Sequence, residues 1–152
     1  MVEGARPAVA TDAARIATLH GQATAELAAE RGGATWAAQT ARAGFDGFDL
    51  DDPAQLVLVG EIDATVVGYA RARLERLADG ELLAVLTDIY VEPEAREVGV
   101  GELLLDAAIE WAVGQGCTGI DSLALPGMRG TKNFFEAAGL VARAIVVHRR
   151  LP

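Results

Sequence analysis

The first third of the chain has a pattern of apolar residues that predicts one long helix and a second, shorter one. A β-prone run at 5–10, a candidate first strand, is followed by Thr11 and Asp12, residue types that favour helix starts. Apolar side chains then recur at the spacing of one helix face, namely at Ile16, Leu19, Ala23 and Leu27. The paired glycines at 32–33 end this helix, and residues 36–43 are predicted to form the next one.

Three β-prone runs follow, at 55–62, 66–74 and 82–91. Short turn-forming segments separate these runs, and Pro93 ends the third of them. Three consecutive strands joined by short turns are most simply arranged as an antiparallel meander.

The second half of the chain changes to an alternation of helices and strands. The pattern predicts a helix over 102–113, a strand over 120–125, a short helix over 131–138 and a final strand over 141–148. A strand, a helix and a strand in succession imply a parallel pair between the strands at 82–91 and 119–125. We therefore predict an α/β (α+β) fold with a mixed sheet, in a single domain that spans residues 1–152.

Composition is that of an ordinary globular chain, with 51% hydrophobic and 23% charged residues. No apolar run approaches the roughly 18–20 residues of a membrane-spanning helix, and the first residues lack the pattern of a secretory signal. The single cysteine, Cys117, fits a reducing compartment, so we expect a cytoplasmic protein with no membrane partner. The net charge of −9 argues against nucleic acid, and it either steers a cationic acceptor or simply keeps the chain soluble.

The segment 87–104 carries the most chemical information, because a strand there runs through a glycine-bearing loop into a helix. The first N–H groups of such a helix lack intrahelical partners and carry the positive end of its dipole. Gly99 and Gly101 allow a bulky anion such as a pyrophosphate to approach the backbone closely. No Lys with Ser or Thr follows, as a nucleotide P-loop requires, and Leu104 stands where a dinucleotide fingerprint has its third glycine. A tight turn without any ligand remains the alternative.

Two motifs in this half of the chain resemble those of the GNAT family of N-acetyltransferases. The pattern Arg96-x-x-Gly99-x-Gly101, which follows the strand signature at 89–93, looks like the family's R/Q-x-x-G-x-G/A motif. Residues 133–140, with the sequence NFFEAAGL, resemble the family's usual F-Y-E-x-x-G-F ending. The order of elements along the whole chain also matches. The resemblance implies the GNAT fold with a splayed parallel strand pair, and an enzyme that transfers an acetyl group from acetyl-CoA to an amine by direct attack.

Carried over by position, the resemblance implies that acetyl-CoA binds at the start of the helix near residue 101. Backbone groups of 98–102, together with Arg96, would hold the pyrophosphate, and Glu97 would point away. The implied cofactor-binding residues are Tyr90, Val91, Arg96, Glu97, Val98, Gly99, Val100, Gly101, Glu102, Phe134 and Phe135. No metal cofactor is expected, since the histidines of the chain lack partners at metal-ligand spacing.

The same resemblance implies a bulge at 88–91 that splays this strand from the strand at 119–125. The pantetheine arm would enter the gap and pair with the backbone of Tyr90 and Val91. The N–H of Val91 would then polarise the thioester carbonyl in the manner of an oxyanion hole.

The sequence departs from the family at two positions. Phe135 stands where the family usually has a tyrosine proposed to protonate the leaving thiolate, and Met128 replaces a frequent asparagine. A phenyl ring cannot donate a proton, so that role is vacant or falls to water, Tyr90 or Ser122. Acid assistance contributes only about 10²–10⁴-fold, so we favour an active enzyme. The alternative is an acyl-CoA-binding or sensing module that has lost catalysis.

The acceptor amine must lose a proton before it attacks, and two carboxylates flank the predicted splay, those of Asp88 and Glu92. Either could accept the proton directly or through a water molecule. Strand alternation places Asp88 and Tyr90 on one face. Asp88 is also explained by a structural hydrogen bond to a neighbouring loop, and Tyr90 by core packing.

Several other polar residues carry weaker signals. His20 and His148 lack partners at metal-ligand spacing, which argues against a zinc site. Cys117 could carry an acetyl group in a ping-pong route, but an unreactive thiol is the simpler interpretation. Arg129 and Lys132 could meet cofactor phosphates or could be solvated charges.

The acceptor is expected to be a small molecule or a peptide that carries an amine. In the family, specificity comes from the first helices and the loops between strands, which are residues 27–53 and 75–81 here. Side chains there that could line a pocket, or else have ordinary surface and core roles, are Glu30, Arg31 and Trp36. The aspartates within 46–52 could attract a cation or simply form turns. A homodimer through the last strands is a further expectation of the family.

Overall fold

The computed structural model of the chain describes residues 1–40 and 48–152. The five strands are β1 (Glu3–Pro7), β2 (Gln55–Ile62), β3 (Thr65–Arg76), β4 (Leu82–Val91) and β5 (Gly119–Asp121), and the four α-helices are α1 (Ala13–Ala29), α2 (Gly33–Gln39), α3 (Val100–Gly114) and α4 (Arg129–Ala137). The strands form one sheet in the order β1-β2-β3-β4-β5. Neighbours from β1 to β4 are antiparallel, whereas β4 and β5 are parallel, which confirms the predicted mixed sheet.

Alternating side chains of the central strands build a core on each face of the sheet. On one face, Val57 and Val59 of β2 belong to the same buried cluster as Ile16 of α1. On the other face, Leu58 of β2 packs in the cluster that contains Leu104 of α3. Because successive residues of a strand point to opposite faces, β2 contributes to both cores. The helices α1 and α3 therefore cover opposite faces of the sheet.

Most predicted elements are confirmed, with small differences at their ends. β2 and β4 have the predicted bounds, and β3 extends slightly further at both ends. The first strand lies earlier than predicted, at Glu3–Pro7, because residues Ala10–Asp12 form a 3-10 turn that leads into α1. Of the helix predicted over 36–43, residues 41–43 lie outside the described residues.

The loop before β2 uses its aspartates to form turns. Asp49 Oδ1 accepts the N–H of Asp51 at 2.9 Å, and Asp52 Oδ1 accepts the N–H of Ala54 at 2.9 Å. These are turn interactions that short acidic side chains commonly make. Asp46 lies outside the described residues.

The strand predicted over 141–148 is wrong, because residues 140–152 form no helix or strand. Val141, Ile145, Val146 and Val147 are instead 82–90% exposed. A β-prone run becomes a strand only when a neighbouring strand pairs with it. Arg143 contacts Asp121 of β5 through two side-chain hydrogen bonds, but β5 has only three residues.

An ion-pair network ties β1 to the start of α1. Asp12 accepts hydrogen bonds from Arg6 Nη1 at 2.8 Å and Nη2 at 3.1 Å, and from the N–H of Val9 at 2.8 Å. Arg6 Nε also donates to Glu61 of β2 at 2.9 Å. Hydrogen bonds from Arg6, supported by the Val9 N–H, lower the pKa of Asp12 below its ordinary value of 3.8.

We expect Asp12→Ala to lower the free energy of unfolding by about 1.5–3 kcal/mol at pH 7, the range of hydrogen bonds to charged groups. The folded-state pKa of Asp12 is depressed, so its contribution is complete above pH 3.8 and is lost as the pH falls further. Urea denaturation at pH 7 and pH 3 should therefore show the difference from wild type shrinking in acid. The exposed Asp51 provides the control, because Asp51→Ala should change stability by less than about 0.5 kcal/mol at either pH. Equal effects of the two substitutions would contradict the expectation.

Candidate active site

The pairing between β4 and β5 stops after three residue pairs, the last of which joins Val85 to Asp121. At this level β4 carries an extra residue, Thr87, that has no counterpart in the β3 register. A bulge of this kind bends the strand and increases its twist. The predicted splay of the parallel pair is therefore confirmed, and its bulge lies immediately before the predicted segment 88–91.

A cavity of about 680 Å³ opens where β4 and β5 separate, a volume typical of small-molecule sites. Its walls come from α1, α2, the strand ends, the loop before α3 and the segment around α4. The lining residues are Ala23, Glu26, Leu27, Glu30, Trp36, Tyr69, Thr87, Asp88, Ile89, Tyr90, Val91, Ala95, Arg96, Glu97, Gly99, Gly101, Glu102, Ser122, Leu123, Gly127, Met128, Arg129, Gly130, Thr131 and Phe134.

The start of α3 forms one rim of this cavity. Gly99 precedes the helix with φ at +98°, a left-handed conformation that glycine adopts readily. A Cβ added at Gly101 would lie 3.4 Å from Cε1 of Phe134, so a larger residue there would fill this corner. The first N–H groups of a helix have no intrahelical acceptors and carry the positive end of its dipole. The two glycines therefore leave the N-terminus of α3 open to the cavity, and such a helix end is suited to an anion.

Arg96 bridges the strand end and α1 across the cavity. Its Nε donates to the carbonyl oxygen of Val91 at 2.7 Å, and its Nη2 donates to Glu26 Oε2 at 2.9 Å. The guanidinium carbon lies 5.5 Å from the centre of the Tyr90 ring, within the range of a cation–π contact. Arg96 is therefore held by α1 and β4 together.

Tyr90 completes this group from the floor of the cavity. The residue is buried, and its hydroxyl donates to Glu26 Oε1 at 2.9 Å. Burial, followed by the hydrogen bond and charge of Glu26, raises the pKa of Tyr90 to about 12. The phenol is thus protonated throughout the neutral range and acts as a hydrogen-bond donor.

Asp88 is a buried carboxylate that faces the cavity from β4. Its Oδ2 accepts the hydroxyl of Tyr69 at 2.7 Å and lies 3.2 Å from His20 Nδ1. His20 Nδ1 is also 2.9 Å from the Tyr69 hydroxyl oxygen. Arg71 Nε approaches Asp88 Oδ1 at 3.3 Å. Among residues 1–40 and 48–152, these partners of Asp88 lie on β3 and α1.

His20 is a site residue that the sequence interpretation missed. It has no partner at metal-ligand spacing, but it packs beside Ile16 and Leu19 on the buried face of α1. The signal was a polar residue four positions after Ile16, on the same helix face as the apolar stripe. Glu26, which also lines the cavity, was missed because its position on α1 shows no chemical motif.

Most residues predicted to bind the cofactor line the cavity, and these are Tyr90, Val91, Arg96, Glu97, Gly99, Gly101, Glu102 and Phe134. Val98 and Val100 direct their side chains into the core beneath α3, so only their main chain lies at the helix start. Glu30 and Trp36, named as candidates for the acceptor pocket, also line the cavity.

The structure does not bring Glu92 or Phe135 to the cavity. Glu92 accepts a hydrogen bond from Arg15 of α1 at 2.9 Å and is held there as an ion pair. Phe135 is buried in the core on the α3 side, and its neighbour Phe134 is the aromatic residue that lines the cavity. Adjacent residues of a helix point in different directions, so only one of the two phenylalanines can face the site.

The remaining candidates also have definite positions. Arg129 lines the cavity, whereas Lys132 pairs with Glu136 along the exposed side of α4. Cys117 is a free, half-buried thiol. Across residues 1–40 and 48–152, no cluster of three His, Cys, Asp or Glu residues is placed to hold a metal ion. The same part of the chain contains no helix that is long and apolar enough to cross a bilayer.

Sequence comparison assigns the chain to a family. A profile of the Acetyltransferase (GNAT) family matches residues 21–140, which contain the glycine-bearing loop and all the residues that line the cavity. The chain belongs to the GNAT acetyltransferase family. It is an enzyme of the acetyltransferase type.

Individual relatives are consistent with this membership. An aminoglycoside N(6')-acetyltransferase type 1 from Klebsiella aerogenes is 36% identical over 69 residues, which span 43% of this chain and only 45% of that protein. The structure of AAC(6')-Iy in complex with a bisubstrate analogue superimposes with a TM-score of 0.74 at 18% identity, over 100% of this chain and 99% of that one. Glucosamine-6-phosphate N-acetyltransferase from Arabidopsis thaliana gives a TM-score of 0.72 at 14% identity over the full length of both chains. At such identities the structural likeness shows the fold alone. These relatives give no support to the alternative of a sensing module.

We expect the hydroxyl of Tyr90 to make the stability of the fold sensitive to alkaline pH. Its folded-state pKa is about 12 against an ordinary 10.0, so its contribution is complete below pH 10 and is lost as the pH rises towards 12. Tyr90→Phe should lower the free energy of unfolding by about 1 kcal/mol at pH 8. Urea denaturation of both proteins at pH 8, 10 and 11 should show this difference shrinking above pH 10. If the difference in unfolding free energy between wild type and Tyr90→Phe stayed constant from pH 8 to pH 11, the raised pKa of Tyr90 would be contradicted.

Proposed function

We propose that this enzyme takes the acetyl group of acetyl-CoA and transfers it to an amine of a small molecule or peptide by direct attack. The proposal rests on one observation. A single cavity contains both the open N-terminus of α3 and the buried carboxylate of Asp88, and it runs along the edge of β4 from which β5 has separated. Solved relatives add support, since AAC(6')-Iy has been crystallised with CoA.

The proposed cofactor position follows from the groups that face the gap. The diphosphate accepts hydrogen bonds from the first N–H groups of α3, where Gly99 and Gly101 leave room. Arg96 lies beside this helix end and supplies the nearest cationic side chain on β4's side of the cavity. Glu97 and Glu102 line the same region but are exposed, so their carboxylates can stay in solvent when the cofactor binds.

The thioester is proposed to bind against the main chain of β4. Glu92 N–H donates to Val67 of β3 at 2.9 Å, whereas the carbonyl of Val91 points the opposite way and accepts from Arg96. In an extended strand the N–H and C=O of one residue point to the same side. The N–H of Val91 therefore faces the gap, where it can donate to the thioester oxygen as negative charge develops.

In the proposed reaction the neutral amine attacks the acetyl carbon, a C–N bond forms, and the C–S bond breaks to release CoA thiolate. The proton lost by the amine passes to Asp88, directly or through water. Tyr90 is a poor donor to the thiolate, because a phenol with a pKa of about 12 is a weaker acid than a thiol near 8.5. Phe135 has no proton to give and lies in the core. The thiolate therefore takes its proton from water and not from Tyr90 or Phe135.

The acceptor is proposed to be cationic. Glu26, Glu30 and Asp88 all line the cavity wall opposite the helix end, and the net charge of −9 steers cations towards it. The Klebsiella relative, by its name, acetylates an aminoglycoside, and the Arabidopsis relative acts on glucosamine-6-phosphate. A small molecule with one or more amines therefore fits better than a long peptide.

The test of this function is release of CoA thiol when acetyl-CoA is mixed with a panel of small amines and short peptides. Asp88→Asn should lower kcat by about 10²–10⁴-fold, the usual contribution of a general base, with little change in CoA affinity. Glu92→Gln serves as the comparison, because Glu92 is held by Arg15 outside the cavity and should retain kcat. A larger loss in Glu92→Gln than in Asp88→Asn would contradict the assignment of the base. Absence of thiol release with every amine would contradict the function.

We also propose a homodimer formed through the last segment of the chain. Val141 and residues 145–147 form an apolar, β-prone run that is 82–90% exposed and has no strand partner among residues 1–40 and 48–152. Such a run is a template for pairing with another chain. Light scattering after size exclusion should give twice the mass of one chain, and Val146→Lys should shift it towards the monomer.

A further inference from the structure

Glu26 lies between the cofactor side of the cavity and its acceptor side. Its Oε1 accepts the hydroxyl of Tyr90 and its Oε2 accepts Nη2 of Arg96, both at 2.9 Å. Arg96 belongs to the cofactor side of the proposed site, while Glu26 lies on α1 beside the proposed acceptor wall. One carboxylate therefore connects the cofactor-binding cation to the acceptor side.

Two anionic groups compete for the guanidinium of Arg96. In this structure its guanidinium is directed to Glu26, whereas the proposed function requires it at the cofactor diphosphate. The pair with Glu26 is weak, since 44% of the Arg96 side chain and 46% of the Glu26 side chain are exposed. A diphosphate offers more charge and several acceptor oxygens for a bidentate arginine. Cofactor binding should therefore draw Arg96 away from Glu26.

Once Arg96 has moved, Glu26 is a carboxylate with one remaining donor, the Tyr90 hydroxyl. That phenol stays protonated and keeps Glu26 oriented into the cavity. A half-exposed carboxylate in a pocket lined by Glu30 and Asp88 binds cations, and the group that fits is an ammonium.

We propose that Glu26 is the acceptor-recognition residue for an ammonium group, and that Arg96 occupies it until the diphosphate of the cofactor takes Arg96 away. This inference rests on the proposed function. It makes the two substrates bind synergistically, because each favours the state in which the Arg96–Glu26 pair is broken. By linkage, the factor by which CoA tightens amine binding equals the factor by which the amine tightens CoA binding.

Glu30 provides a matched control. It lies one helical turn after Glu26, just beyond the end of α1, and lines the same cavity with the same charge. Its contacts in the described part of the chain do not include an ion pair with Arg96. Replacing either glutamate by glutamine removes one negative charge from the same wall, so general repulsion of the cofactor is relieved in both variants. Only Glu26→Gln also releases Arg96.

The experiment is calorimetric titration of CoA into the wild type, Glu26→Gln and Glu30→Gln. We expect CoA to bind about two- to five-fold more tightly to Glu26→Gln than to Glu30→Gln, the range of an exposed ion pair. A residue with a purely structural role would not improve cofactor affinity when removed. Equal CoA affinity in the two variants, or weaker binding by Glu26→Gln, would overturn the proposal. Failure of the wild type to bind CoA at all would instead refute the proposed function.

A second titration tests the acceptor side with spermidine, a probe that carries three ammonium groups. Spermidine should bind the wild type about two- to five-fold more tightly in the presence of saturating CoA than in its absence. This coupling should vanish in Glu26→Gln and in Arg96→Gln, and persist in Glu30→Gln. Spermidine affinity that is unaffected by CoA in the wild type, including no binding in either state, would overturn the proposal.

Discussion

The site depends on the short pairing between β4 and β5. Three residue pairs join the strands, and the extra residue Thr87 then bends β4 away. The open edge that results has main-chain groups that no strand of the sheet satisfies. Backbone polar groups that are withdrawn from water need partners, so an edge that lies inside a cavity is suited to an extended ligand. α3 begins beside this opening, which places a helix N-terminus next to the exposed edge.

The acidic groups around the opening are held by two different arrangements. Asp88 is buried, and the Tyr69 hydroxyl and His20 support it from below the cavity. Glu26 is half exposed and accepts hydrogen bonds from Arg96 on the rim and from Tyr90 on the floor of the cavity. Removing a partner of a buried charge is strongly destabilising, whereas exposed pairs break at little cost. The buried cluster is therefore suited to fixed positioning near the chemistry, and the rim cluster to rearrangement.

The pattern of apolar and polar residues was sufficient to predict those helices and strands whose local preference agrees with their packing in the fold. β2 and β4 have their predicted bounds because the β-branched and leucine-rich runs there pair with β3 along their whole length. The glycine-bearing loop and the start of α3 were predictable from Gly99 and Gly101 together with the family motif. The end of β5 and residues 141–148 were not, because a strand depends on its partner and sequence periodicity does not show where pairing stops.

The composition of the site was harder to predict for a similar reason. His20 and Asp88 are 68 residues apart in sequence, and nothing in either segment indicates that they meet. Glu92 follows β4 in the motif region, yet Arg15 draws it to the outside of the cavity. Glu26, an ordinary helix position by pattern, instead reaches the rim. The parts of the site that the main chain forms could thus be predicted from the sequence. The contacts between side chains of different strands and helices required the tertiary structure.

The proposal that the main chain at the start of α3 binds the diphosphate is tested most directly by calorimetry with acetyl-CoA, CoA and S-acetylpantetheine, the last of which lacks the diphosphate together with the adenosine nucleotide attached to it. We expect both CoA compounds to bind and S-acetylpantetheine to bind at least about tenfold more weakly, since several charge-assisted hydrogen bonds are lost. Equal affinity for all three compounds, or no heat with either CoA compound at high protein concentration, would contradict it.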